Sequence, residues 1–442
     1  MTTFMPVSAA FTQHADVWVD KAWGFMIGWN FFLFQALLIP FEITAFDSIL
    51  TFWRNDIPSA AVISACIVLY GITNVLAVRY FGEAEFWLCL GKLFLMMLLF
   101  SFTFVTMCGG NPQGHAYGFS NWSKPYPFLE YLSTDSWLRC GRLHSSSSTL
   151  RAAFKQVYWR FGIFFICGAL CVGIVVPAND PTLFKAFSTG DTGTGASSPY
   201  VIAMKNMEVA VLPHIVNALL MTSVYSAGNC YVYTTCRSLH SLASRGHAPK
   251  FFLKTTRKGV PMNTLVVALA FASLSYLKLN SGSLEVLIWL ANLITGGTIV
   301  TYIAVCVNYI FFYRALKAQK YDRDALPYKG WFQPYAAWVA LAWLVFIELF
   351  YGYAVFLDGN WDTGSFFTSY TMCFIAICNF SSWKLLKRTK FVKPAEADLV
   401  WARPEIDRHE ALFAEAEDYG FWKAVRHFLR FQKVGRSSKS KA

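Results

Sequence analysis

Residues 22–41, AWGFMIGWNFFLFQALLIPF, run for twenty positions without an Asp, Glu, Lys or Arg. A helix needs about 20 apolar residues to cross the hydrocarbon core of a bilayer, so this stretch has the length of one span. Further charge-free stretches lie at 57–78, 161–179, 209–236, 259–277, 286–313 and 363–383. Two more are interrupted once each, 86–108 by Lys92 and 331–357 by Glu348. Such lengths recur too often for the core helices of a soluble chain, and the polar loops between them are too few to enclose nine helices. In lipid, backbone donors and acceptors must be satisfied inside a helix or a closed barrel. The runs are continuously apolar rather than alternating, which excludes a barrel. The expectation is an all-α polytopic membrane protein with about nine transmembrane helices.

Composition agrees. Of 442 residues, 55% are hydrophobic, 18% aromatic and only 14% charged, against about 25% charged in soluble domains. That shortfall excludes disorder, collagen and coiled coil, and argues against a water-soluble enzyme. Eleven Cys lie mostly within apolar runs, with no Cys-x-x-Cys pair and no metal-ligand spacing. No His cluster, acid pair or nucleophile elbow is present. Neither a catalytic role nor a metal or cofactor is expected.

The net charge of +12 is a matter of placement. Loop 237–258 carries Arg237, Arg245, Lys250, Lys254, Arg257 and Lys258 and no acid, and loop 314–329 carries five basic residues. Between them, 278–285 has only Lys278 and 358–362 has none. Alternate loops are basic, as the positive-inside rule requires. This puts 237–258, 314–329 and the C-terminus in the cytoplasm. No basic stretch forms a separate domain, so nucleic acid is not an expected partner. Three regions follow: an N-terminal segment 1–21, a transmembrane domain 22–384 and a tail 385–442. Within the second, 133–151 is a polar patch (Ser133-Thr134-Asp135-Ser136, Arg139, Arg142, Ser145 to Ser148) foreign to the surrounding pattern. Nine spans with the C-terminus inside place the N-terminus outside, whereas Arg151, Lys155 and Arg160 lie on an inside loop.

Lys92 is the sharpest candidate for chemistry, because a charge inside an apolar helix is costly unless paired or hydrated. It either snorkels to the interface or has a task. Glu42, after Pro40, either pairs with a cation or makes a structural hydrogen bond at the outer end of its helix. Ser223 and Ser226, beside Gly228, suit close helix packing. Gly296 and Gly297 mark either a bend or tight packing. His214 reads as a packing or hydrogen-bonding residue, and Glu348, near Tyr351 and Tyr353, as an interface anchor.

Several ordered motifs resemble the fungal amino acid permeases of the amino acid–polyamine–organocation superfamily. They are Trp23-Gly24-Phe25, Gly28-Trp29-Asn30 and Pro40-Phe41-Glu42; Tyr80 to Trp87 with Lys92; Lys155 to Arg160; Val211-Leu212-Pro213-His214; Ser226-Ala227-Gly228-Asn229; Gly259-Val260-Pro261; and Ala397-Asp398-Leu399. The resemblance covers roughly 16–132 and 152–434. It implies a LeuT-like inverted-repeat fold of twelve helices, with the first, second and sixth without counterparts here. It also implies proton-coupled amino acid transport across the plasma membrane, with amino acid, proton and lipid as partners. In this superfamily a lysine at the position matching Lys92 carries the coupling proton, and the helix bearing Ser223 and Ser226 faces the substrate cavity. With broken helices one and six missing, impaired transport is expected. The alternative is a non-transporting remnant or sensor-like relative.

Overall fold

A computed structural model describes residues 1–7, 9–54, 56–75, 78–114, 116–119, 162–176, 180, 198–256, 259–279, 283–323, 326, 328, 330, 332–357 and 361–401. The patch 133–151, the motif Lys155 to Arg160 and everything beyond Trp401 lie outside the described residues.

The described elements are helical throughout. A short helix α1 (Ala10–Trp18) precedes α2 (Lys21–Leu50), α3 (Ser59–Val75) and α4 (Val78–Met107). A π turn over Gly162–Cys167 leads into α5 (Gly168–Val175), followed by α6 (Pro199–Asn206) and α7 (Leu212–Ser244). Helix α8 (Met262–Ala272) continues as a 3-10 turn to Leu279. Then come α9 (Ser283–Ala318), α10 (Tyr335–Phe350) and α11 (Thr363–Lys387). Each apolar stretch of the sequence holds one of these helices. Four are long and apolar enough to cross a membrane: Lys21–Leu50, Glu85–Met107, Met262–Leu279 and Glu285–Ala318.

Helix α2 is the axis. In its most apolar window 61% of residues are buried, against 22% in α4, and it packs against α1, α7, α8, α9 and α11. It starts where the Asp20 carboxylate accepts from the Ala22 amide at 3.0 Å, filling one of the donors a helix start leaves open. It does not stop at Phe41. Pro40 supplies no amide donor, yet the helix continues to Leu50. Thr44 and Ser48 hydroxyls donate to the carbonyls of Pro40 and Thr44 at 2.8 and 2.9 Å. Glu42 therefore lies in the helix interior, 5% exposed, not at its outer end. Near its last turn Asp47 accepts from Lys278 Nζ at 2.5 Å and Lys278 also donates to Ser48. That pair, 4% and 7% exposed, lets a helix with two buried acids persist.

Gly296 and Gly297 do not interrupt α9. A Cβ on Gly297 would sit 2.7 Å from Phe34 Cβ and 2.9 Å from Met372 Cε, so the missing side chain is what lets α2, α9 and α11 approach. Asn30 on α2 donates to the Gly297 carbonyl at 2.8 Å and to Thr301 Oγ1 at 3.0 Å. Glu348 differs from the sequence expectation of interface anchoring. It is 6% exposed, accepts from Cys373 Sγ at 2.8 Å and faces Gly296. His214 accepts from Trp53 Nε1 at 3.0 Å, as a hydrogen-bonding residue should.

Helix α11 ends at Lys387, and Arg388 after it takes a left-handed backbone. Residues 389–401 then return across the α1 end of the bundle. The Val392 amide donates to the Val19 carbonyl at 2.9 Å, and Trp18 Nε1 donates to the Asp398 carbonyl at 2.9 Å. Gln319 Nε2 donates to the Ala397 carbonyl at 2.6 Å. Ala397 and Leu399 are buried with Phe4, Trp18, Phe312 and Leu316. The motif Ala397-Asp398-Leu399 thus straps α1 to the end of α9.

Beside the strap, Asp16 of α1 meets Arg245 at 2.8 Å and His247 Nε2 at 3.7 Å, with Lys21 and Asp20 nearby. Burial pushes the Asp16 carboxyl up from 3.8 to about 6, against the pull of Arg245. Burial, aided by Arg245 and Lys21, pushes His247 down from 6.5 to about 4. Between pH 4 and 6 the folded chain holds a proton on Asp16 that the unfolded chain has lost, so this group makes stability fall as pH rises. Between pH 4 and 6.5 the unfolded chain protonates His247 and the folded chain does not, so this group makes stability rise with pH. The two slopes oppose each other. Asp16→Asn is expected to make the melting temperature in detergent climb more steeply from pH 4 to 6 than in the parent, and His247→Asn to tilt it the other way. Superimposable pH profiles for all three proteins would show that neither group titrates there.

Candidate functional site

One segment of α7 carries buried polar residues to two neighbouring helices. Ser226, Ala227, Gly228 and Asn229 are all buried, and three of them reach different neighbours. Asn229 Oδ1 accepts from Thr73 Oγ1 at 2.7 Å and Asn74 Nδ2 at 2.8 Å, tying α7 to α3. Gly228 lies against the Tyr70 hydroxyl, which a Cβ there would strike. Ser226 faces α4.

On α4, Glu85 and Lys92 are seven residues apart, two helical turns and therefore one face. Helical side chains lean toward the N-terminus, so Lys92 reaches back toward Glu85, leaving Nζ and Oε1 4.0 Å apart. Ser226 fills the gap from across the interface. Lys92 Nζ donates to Ser226 Oγ at 2.9 Å, and Ser226 Oγ donates to the Glu85 carboxylate at 2.8 and 3.0 Å. Cys89 Sγ adds a weak contact to Glu85 at 3.5 Å. The side chains of Lys92 and Glu85 are 17% and 16% exposed within the bundle. An ammonium, a hydroxyl and a carboxylate in sequence can compensate charge and pass a proton along a single hydrogen-bonded path. Lys92 Nζ is accordingly turned toward α7.

The structure brings two of the sequence candidates, Lys92 and Ser226, into direct contact. Ser223 lies one turn away on the same face of α7 and is half-buried. Glu42 is near enough for its charge to act on Tyr70, which packs on Gly228, so it belongs to the surroundings of the same α7 segment. Gly296 and Gly297 are elsewhere, against α2 and α11. Three functional-looking residues escape the sequence reading. Glu85 was visible only as part of a motif, although its spacing from Lys92 was a usable signal. Asp47 and Lys278 lie 231 positions apart, and no local pattern announces such a pair. Among the described residues no group of His, Cys, Asp and Glu is arranged to hold a metal ion.

Long apolar helices joined by buried polar and ionic contacts between helices describe a polytopic membrane transporter. The amino acid permease family model matches residues 1–144 and 138–395. The general amino acid permease AGP2 of Saccharomyces cerevisiae is 38% identical over 93% of this chain and 74% of its own. The dicarboxylic amino acid permease of the same yeast is 31% identical over 93% of this chain and 72% of its own. A proline-specific permease of Emericella nidulans is 30% identical over 92% of this chain and 79% of its own. The chain belongs to the amino acid permease family, and its class of activity is transport of amino acids rather than enzymatic conversion.

Proposed function

We propose that this protein is a proton-coupled amino acid symporter of the plasma membrane, with Lys92 as the residue that takes up and releases the coupling proton. The observation that carries the reading is the contact chain Lys92–Ser226–Glu85 across α4 and α7. A lysine there can be charged when its partners are in place and give up its proton when α4 and α7 separate, because a buried ammonium without partners is expensive. Ser223, Glu42, Gly296 and Gly297 are assigned to the substrate path: Ser223 beside the relay, Glu42 near Tyr70, the glycines where α2 and α9 approach each other. The alternation of basic loops supports a cytoplasmic C-terminus, and with it a membrane domain over 22–384, flanked by the segment 1–21 and the tail 385–442. Residues 133–151 form a polar insert in that domain, and the two segments of the family match meet within it.

Uptake of a radiolabelled amino acid mixture in a yeast host lacking its own permeases tests the function. Accumulation above the empty host, rising as external pH is lowered and abolished by a protonophore, is expected. A well-expressed protein at the cell surface that accumulates nothing overturns it. A tag on the last residue should be protected in intact cells.

A further inference from the structure

At the α1 end of the bundle the strap 389–401 does not close flush. It leaves a cavity of about 900 Å³ between α1, the start of α2, the end of α7 and the end of α11. Lys21 is the first residue of α2, Arg245 follows the last residue of α7, and Lys387 is the last residue of α11. The cavity therefore sits where three long helices end, which in a membrane-spanning bundle is the level of the headgroups. Its walls carry four cations, Lys21, Arg245, Lys387 and Lys390, against one carboxylate, Asp16.

Asp16 Oδ2 is matched by Arg245 at 2.8 Å while its Oδ1 accepts no hydrogen bond among the described residues, and the neighbouring Lys384 is matched by Asp20. Lys21, Lys387 and Lys390 are exposed and have no carboxylate within ion-pair distance among the described residues. The cavity is thus left with the charge of three lysines. A second observation is independent of charge. Trp401 Nε1 and Thr389 Oγ1 are buried, line this cavity, and have no hydrogen-bond partner among the described residues. An indole N–H can only donate, and a buried donor left unmade is costly. Unspent donors and unspent cations around one space of ligand size call for a compact anion with several acceptor oxygens.

We propose that this cavity is a binding site for a phosphate group, with Lys387, Lys390 and Lys21 supplying charge and Trp401 and Thr389 supplying directed hydrogen bonds. The phosphate can be carried by a phosphorylated lipid headgroup, which the depth of the cavity favours, or be free in solution. An occupant joins the strap to the ends of α2, α7 and α11, so binding should tighten the strap on the bundle.

The test uses the purified full chain in neutral detergent, titrated with a dioctanoyl phosphoinositide monophosphate, with dioctanoyl phosphatidylcholine and with inorganic phosphate, read by thermophoresis. Saturable binding of the phosphoinositide but not of phosphatidylcholine is expected, weakened about tenfold or more in Lys387→Gln/Lys390→Gln and several-fold in Trp401→Phe. Lys387→Gln/Lys390→Gln changes exposed side chains, and Trp401→Phe keeps an aromatic ring against the strap cluster while removing the indole N–H. Inorganic phosphate competing at similar concentration, with the same variant sensitivity, would assign the site to a free anion. Phosphoinositide binding without such competition assigns it to lipid. Absence of saturable binding by either phosphate, or affinities unchanged in both variants, would overturn the proposal.

Discussion

Lys92→Met is expected to reduce proton-driven amino acid accumulation to the level of the empty host. The substitution keeps the length of the side chain but removes the charge that Ser226 and Glu85 receive. It also leaves Glu85 less compensated inside the bundle, so loss of folding must be separated from loss of coupling. Lys92→Arg does this. A guanidinium keeps the positive charge beside Glu85 and does not release its proton in a protein. Surface abundance near that of the parent with uptake no longer responsive to external pH is the expected result, measured as initial rate at equal surface expression. Ser226→Ala removes the hydroxyl that bridges the two, leaving a pair at 4.0 Å, and is expected to fall between the parent and Lys92→Met. If Lys92→Arg transports with an unaltered pH profile, Lys92 is not the proton carrier.

Lys278→Met is expected to have the largest effect on stability. Lys278 and Asp47 are nearly fully buried and 2.5 Å apart, joining the end of α2 to the turn after α8. Truncating one member of a buried pair leaves an uncompensated charge, at a cost of about 3–5 kcal/mol. Replacing both with apolar residues of similar volume is often neutral. The single variant should therefore lose monodispersity in detergent and melt well below the parent, while Lys278→Met/Asp47→Leu should recover most of the difference. A double variant as unstable as the single one would show that the charges do more than neutralise each other, since Lys278 also donates to Ser48 at 3.1 Å.

These two pairs also show how far the residues speak for themselves. The spans are legible because lipid imposes a one-dimensional requirement: enough consecutive apolar positions to cross. That requirement located a helix in every charge-free stretch. It misjudged where some of them end. Glu42 and Asp47 are charges, and a rule that counts charges stops α2 at Phe41, whereas the helix continues to Leu50 because Lys278 arrives from another part of the chain. Glu348 reads as an interface anchor from its neighbours Tyr351 and Tyr353, whereas α11 supplies Cys373 and Gly296 lies against its carboxylate, so that it is buried. Lys92 stands out as the one charge that interrupts an otherwise apolar run, with Glu85 two turns before it. Its partner Ser226 lies 134 positions away.

Periodicity, apolar length and the alternation of basic loops are properties of the chain read in order, so the helical membrane architecture, the candidate lysine and the likeness to amino acid permeases could be stated without coordinates. Which buried charge meets which counter-charge depends on helices far apart in sequence coming to lie side by side. Only the folded bundle decided that α2 is the axis, that Ser226 bridges Lys92 and Glu85, and that the strap to Trp401 leaves a cationic cavity. A charge in low dielectric is stabilised by what lies within a few ångströms, and that neighbourhood is set by tertiary packing.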